Sequence, residues 1–314
     1  MAVDDSLTEL FLKHDGKAID KWEQYLGVYD CELAALVAAG RPLRLLEVGV
    51  QNGGSLELWR KFLPEGSEIC GLDIDPRVSS REFESHVRVY VADATDAERV
   101  EEVLGSATFD VIIDDASHVC SDVCRTFELL FRHLAPGGRY VIEDLHCSYD
   151  PTYGGGLRAA GSSIEHLKHL IDCLHCDYLA ADAVERAEFD RLSRYNRSLA
   201  RITFYDSIAV VEKLPSEKVR PYRRMLGGDA AALQPISNWM HFFPIANLQA
   251  LLFGHPAVRQ FEQAFFQELD QRRGEVSTLV NTVATLHAEV ESLRAALNDC
   301  RLENDRLAQG AKKE

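Results

Sequence analysis

Positive charge is scarce in this chain. Lys and Arg number 34 against 50 Asp and Glu, giving a formal net charge of −16 and a pI near 5.1. That balance excludes a non-specific nucleic-acid binder, which needs a basic footprint. No apolar run reaches the length of a transmembrane helix. The first residues, MAVDDSLTEL, lack the basic-then-apolar order of a signal peptide. A second CxxC is also missing. Cys173-Leu174-His175-Cys176 stands alone, so one helical turn carrying two thiols is expected in place of a zinc or redox site. The eight cysteines, at 31, 70, 120, 124, 147, 173, 176 and 300, fall mostly inside apparent helices and strands. A disulfide framework is not expected in so large an acidic chain, and the expected location is the cytoplasm.

What is present is an α/β pattern. The chain has 314 residues and 46% hydrophobic content, enough to bury a full domain with residues to spare. Two apolar runs, Val111-Ile112-Ile113 and Arg139-Tyr140-Val141-Ile142, each end in a pair of acids, Asp114-Asp115 and Glu143-Asp144. Runs of this kind without polar alternation read as buried parallel strands. The spacing predicts a helix over Val119–Leu134 between them, closed by Pro136-Gly137-Gly138. Parallel strands joined by a crossover bring both acid pairs to one carboxyl edge, where open α/β sheets bind ligands. Carboxylates converging there call for a cation, and Mg²⁺ suits an all-oxygen set. His118, three residues after Asp115, lies on the same lip with a ring suited to proton abstraction near neutral pH.

Upstream, strands are predicted at Leu43–Val48, Ile69–Ile74 and Val87–Val91, with a glycine turn from Gly49 to Gly54 and a helix over Ser55–Phe62. The turn reads ExGxxxGG and not the GxGxxG dinucleotide fingerprint. Asp73, closing the second strand, is placed to take two ribose hydroxyls, and Asp93, closing the third, to meet an adenine amino group. The alternation predicts a Rossmann-like, doubly wound, mostly parallel sheet. Residues 1–40 are expected to form an N-terminal helical cap with segments at Leu7–Lys13, Ala18–Tyr25 and Tyr29–Ala39. Trp22, Tyr25 and Tyr29 are expected there as core, as caps, or as a cover over the sheet edge. Ile164–Ala180 reads as a packed helix and Ile202–Val211 as a strand pair finishing the sheet. Tyr149–Gly156 is too glycine-rich for regular structure and fits a substrate loop or a connector.

Beyond residue 213 the pattern changes again. Residues 214–257 form an extension without a clear period. Lys213, Lys218, Arg220, Arg223 and Arg224 cluster around its start, as a solvated face or a surface for an anionic substrate. Over 258–310 a heptad repeat appears, with Val276, Val283, Val290, Leu297 and Asn304 at a positions and Leu279, Leu286, Leu293, Cys300 and Leu307 at d positions. That pattern predicts a coiled-coil helix and self-association, with a parallel dimer favoured.

Taken together, LLEVGVQNGGSLELW, GLDID, IIDDASH, GGRYVIEDL and ITFYDSIAVVEK resemble class I S-adenosylmethionine-dependent methyltransferases. More narrowly, residues 40–213 resemble the metal-dependent sugar O-methyltransferases of macrolide biosynthesis, of the mycinamicin and tylosin type. The resemblance implies Mg²⁺ ligands at Asp115, Glu143 and Asp144 and a general base at His118. It implies S-adenosylmethionine contacts at Glu47, Gly49, Gly53 and Asp73, with Asp93 near the adenine and Asp114 near the methionine end. The implied acceptor is a small molecule or glycan with neighbouring hydroxyls. A catechol-like acceptor would use similar metal geometry, and a non-catalytic coiled-coil scaffold is the reading from a different class. His146 is the rival base.

Overall fold

The computed structural model describes residues 6–179, 186–219, 222 and 271. The chain divides into two compact units, Met1–Tyr222 and Arg223–Glu314. The heptad repeat, Arg220, Arg223, Arg224 and nearly all of the 214–257 extension lie outside the described residues.

Two helices open the first unit, α1 (Leu7–Leu12) and α2 (Glu23–Ala38). Then come β1 (Arg44–Val48), α3 (Gly54–Phe62), β2 (Glu68–Asp73), β3 (Val87–Val91), α4 (Ala97–Leu104), β4 (Phe109–Asp114), α5 (Cys120–Leu130) and β5 (Leu134–Ile142). The unit finishes with α6 (Ser163–His175), α7 (Arg186–Asn196), β6 (Leu199–Phe204) and β7 (Ala209–Lys213). The sheet has seven strands in the order β3-β2-β1-β4-β5-β7-β6. β1 to β5 are parallel, and the β6–β7 hairpin enters antiparallel beside β5. Chain order reverses between β1 and β4, which opens a crevice at their carboxyl ends.

Strand alternation divides the core into two layers. Leu46, Val48, Leu72, Ile112, Tyr140 and Ile142 pack with Phe127 and Leu130 of α5 and with Leu167 and Leu170 of α6. Leu45, Ile69, Val111, Ile113 and Val141 face the other way, onto Tyr25, Tyr29 and Leu33 of α2 and Leu56 and Trp59 of α3. The two acids at the end of β4 follow the same alternation, and Asp114 and Asp115 leave the strand toward opposite faces.

Three local expectations are corrected. The predicted helix over Ala18–Tyr25 does not form. Residues 14–22 are non-helical, and α2 begins only at Glu23 and runs without a break through Tyr29. The helix expected to reach Leu134 ends at Leu130, and β5 begins at Leu134, because Leu134 pairs with Phe109 across a register shift that absorbs the Pro-Gly-Gly turn. The helix predicted to Ala180 stops at His175 and passes into a 3₁₀ turn over Cys176–Tyr178.

Cys173 and Cys176 are free and buried, and burial pushes the Cys173 thiol up to about 11. Neither lysine of the expected basic cluster that falls among the described residues is a free anion contact. Lys213 donates to the Leu134 carbonyl at 2.6 Å, and Lys218 pairs with Asp177 at 2.5 Å. No helix among the described residues is long and apolar enough to cross a membrane.

Candidate active site

The carboxyl edge of the sheet opens into a cavity of about 1080 Å³. One half is floored by the turn from Gly49 to Gly53 and the first turn of α3, whose backbone N–H groups have no intrahelical partners. Gly49 holds φ +93°, and a Cβ there would lie 2.1 Å from the Asp115 carbonyl oxygen. Glycine is therefore required on two counts. The Gly49→Ala variant is expected to lose about 1–3 kcal/mol of stability and to bind S-adenosylhomocysteine more weakly. Thermal unfolding and calorimetric titration measure the two effects, and parental values in both would contradict the close approach.

The strand-end acids of this half are already oriented. Asp73 Oδ2 accepts from the Val50 and Gln51 amides at 2.7 and 3.0 Å, which ties β2 to the glycine turn. Asp93 Oδ1 accepts from the amide and hydroxyl of Thr95 at 2.8 and 2.7 Å. Asp114 is buried, lines the cavity and leaves Oδ2 without a hydrogen-bond partner. Burial, with Asp115 beside it, pushes its carboxyl up to about 7. Glu47 is placed differently. Its side chain is buried on the α3 face, accepting from Ser55 Oγ at 2.6 Å and Trp59 Nε1 at 3.3 Å, and it does not line the cavity.

The other half is the acidic lip. Asp115, His118 and Asp144 place ligand-capable atoms within 4.8 Å of one another. His118 Nε2 lies 3.2 Å from Asp144 Oδ2 and 3.9 Å from Asp115 Oδ1. His118 and Asp144 both adopt left-handed backbone, at φ +57° and +55°, an uncommon state for non-glycine residues that tends to collect at functional sites. Tyr25 fixes Asp144 from α2. Its hydroxyl lies 2.8 Å from Asp144 Oδ1 and accepts from the Asp144 amide at 3.0 Å. His146 lies outside the cavity lining, with Nδ1 2.6 Å from Ser207 Oγ and its ring edge-on to Trp22.

Glu143 points inward. It is buried, and its Oε1 accepts from both Lys21 Nζ (2.8 Å) and the Tyr29 hydroxyl. Burial raises the Tyr29 hydroxyl well above its ordinary pKa and keeps it a donor. Lys21 Nζ also contacts Asp115 Oδ2 and lies 3.7 Å from Glu47 Oε1. Burial alone would lower the Lys21 pKa, but Glu143, Asp115 and Glu47 outweigh it and hold the ammonium charged. One ammonium cannot neutralise three carboxylates, so burial leaves Glu143 and Glu47 above the ordinary carboxylate range.

Residues 46–145 match the family model described as a methyltransferase domain. Over 183 residues the chain is 36% identical to mycinamicin VI 2''-O-methyltransferase of Micromonospora griseorubida, a stretch covering 54% of this chain and 44% of that protein. It is 35% identical over 218 residues to 8-demethyl-8-(2-methoxy-alpha-L-rhamnosyl)-tetracenomycin-C 3'-O-methyltransferase of Streptomyces olivaceus, covering 66% of this chain and 53% of that one. Among solved structures it is similar to the MycE methyltransferase of the mycinamycin biosynthetic pathway in complex with Mg, SAH and mycinamycin VI. That match has a TM-score of 0.58 at 29% identity and covers 68% of this chain and 54% of that chain. The chain thus spans about half the length of the relatives it matches.

The two acid pairs, His118 and the glycine turn, expected from the sequence at one edge, line one cavity. Lys21 was not among the expected residues. Nothing local marks that residue, whose acid partners lie up to 122 positions away along the chain.

Proposed function

We propose that this chain transfers a methyl group from S-adenosylmethionine to a hydroxyl of a sugar carried by a small-molecule glycoside. The observation that carries the reading is His118 on the cavity rim, 3.2 Å from Asp144 and 3.9 Å from Asp115. The activities of the relatives, O-methylation of mycinamicin VI and of a rhamnosyl tetracenomycin C, support the same substrate class.

The residues fit both groups that this chemistry needs. Asp114 presents a buried carboxylate oxygen without a partner, suited to the ammonium of the methionine end. Asp73 retains accepting capacity for ribose hydroxyls beyond the amides it holds, and Asp93 stands where the adenine edge would lie. Gly49 and Gly53 let the backbone approach the nucleoside, while Glu47 supports this half through α3. Asp115 and Asp144 offer oxygen donors toward the rim, the set a hard divalent ion takes, with Glu143 behind them as the third carboxylate. When bound, magnesium supplies Lewis acidity that lowers the pKa of an acceptor hydroxyl.

His118 does the proton work. A sugar hydroxyl is a poor nucleophile at neutral pH, and Nε2 on the rim would take its proton as the methyl group passes from the sulfonium to the oxygen, the methyl–sulfur bond breaking to leave the neutral thioether S-adenosylhomocysteine. Asp144, 3.2 Å away, stabilises the imidazolium that forms, and Tyr25 holds Asp144 in place. Positioning supplies much of the remaining acceleration in such an in-line displacement.

The test is methyl transfer from labelled S-adenosylmethionine to a panel of glycosides and catechols, with Mg²⁺ and with chelator. Metal-dependent transfer to a glycoside is the expected outcome. Transfer to catechols alone would overturn the substrate class, and transfer that chelator leaves intact would overturn the metal.

A further inference from the structure

The acidic lip poses a problem of donors. Glu143 Oε1 already accepts two hydrogen bonds, from Lys21 and Tyr29, and Asp115 Oδ2 is held by Lys21. The donors facing the rim are therefore Asp115, Asp144 and the imidazole of His118. A hard divalent ion prefers oxygen to imidazole nitrogen, and a His118 bound to metal could not also take a proton. Glu143 lines the same cavity as a third carboxylate, but Lys21 covers its Oε1.

Lys21 is well placed to be exchanged. Its side chain is only 4% exposed, and it sits on the non-helical segment 14–22, outside the regular elements of the sheet and helices. That segment is anchored at one end by Lys17, whose amide donates to Glu57 Oε2 of α3 at 2.9 Å, and at the other by the start of α2. Lys21 makes no hydrogen bond to backbone, and the polar partners of its ammonium are the three acids Asp115, Glu143 and Glu47. An ammonium and a divalent cation within one set of carboxylates repel each other, and the doubly charged ion gains more from the same oxygens.

We propose that Lys21 is a built-in counter-cation that a divalent metal displaces. Lys21 neutralises Asp115 and Glu143 in the metal-free protein, and its withdrawal releases both carboxylates to the ion and leaves His118 free for the acceptor proton. The inference rests on the metal-dependent reading above and adds to it a residue that tunes metal affinity by competition.

Two measurements on the whole chain test it. The first is calorimetric titration of Mg²⁺ into wild type and Lys21→Met, a variant that keeps the stem and removes the charge. Removing the competitor is expected to tighten Mg²⁺ about tenfold or more, since the competent state no longer has to be selected. Lys21→Arg, which keeps the charge in case the methionine variant folds poorly, is expected to bind no more tightly than wild type. The second is acetylation of wild-type lysines, read by mass spectrometry with and without saturating Mg²⁺, with half-exposed Lys61 as reference. Lys21 is expected to be protected without metal and severalfold more reactive with it. Saturable Mg²⁺ binding with Lys21 still protected, or equal affinities in wild type and Lys21→Met, would overturn the displacement and leave the metal site standing. Absence of Mg²⁺ binding in both proteins would overturn both.

Discussion

His118→Ala is expected to lower kcat for glycoside methylation about 10²–10⁴-fold, the range a positioned general base contributes, while the affinity for S-adenosylhomocysteine stays near the parental value. The separation follows from the layout. His118 stands on the acidic half of the cavity, beside Asp144 and Asp115, whereas the half proposed for the cofactor is lined by the glycine turn, Asp73, Asp93 and Asp114. His118 holds left-handed backbone, φ +57°, just before α5 begins at Cys120. Alanine tolerates that backbone poorly, so His118→Asn, which accepts it, is the companion variant and is expected to lose turnover to the same extent. His146→Ala is the control. His146 is held by Ser207 and Trp22 outside the cavity lining, and its loss is expected to change kcat less than about tenfold. A larger loss in His146→Ala than in His118→Ala would exchange their roles.

Asp144→Asn should be nearly as damaging, by a different route. It removes the anionic oxygen nearest His118 and one of the two carboxylates open to the rim. Removing a mere outer partner of a metal ligand costs about 10–100-fold in metal affinity, so removing an inner carboxylate is expected to cost about 100-fold or more. Asparagine tolerates the φ of +55° at this position and can still meet the Tyr25 hydroxyl, so the fold should survive. Mg²⁺ titration with a thermal unfolding control measures both. Parental metal affinity in a folded Asp144→Asn protein would remove this residue from the proposed ligand set.

The parts of the fold legible in the sequence are those whose neighbours along the chain determine them. β1 to β5 announce themselves as short apolar runs because both faces of a parallel sheet are covered, and each run ends in the acid or glycine that the carboxyl edge requires. The opposite facing of Asp114 and Asp115 follows from strand alternation alone. The hairpin of β6 and β7 was legible, although its place beside β5 comes from pairing. What could not be read is set by distant partners. The segment 14–22 has helix-compatible spacing, yet it lies across α3, with Lys17 bound to Glu57 forty positions on and Lys21 bound to Glu143. Glu47 sits at the position the motif assigns to the cofactor, while its carboxylate is occupied by Ser55 and Trp59. Its direction depends on how α3 packs, and a motif does not encode that.

Diffraction from crystals grown with Mn²⁺ and S-adenosylhomocysteine, at wavelengths where manganese scatters anomalously, tests the central claim most directly. The account predicts one strong anomalous peak on the lip, bound by Asp115 and Asp144 with Glu143 turned to it. His118 would stand free beside the ion, and the nucleoside would lie against Asp73 in the other half. A peak ligated by His118, or a loaded cofactor half with no ion on the lip, would contradict it.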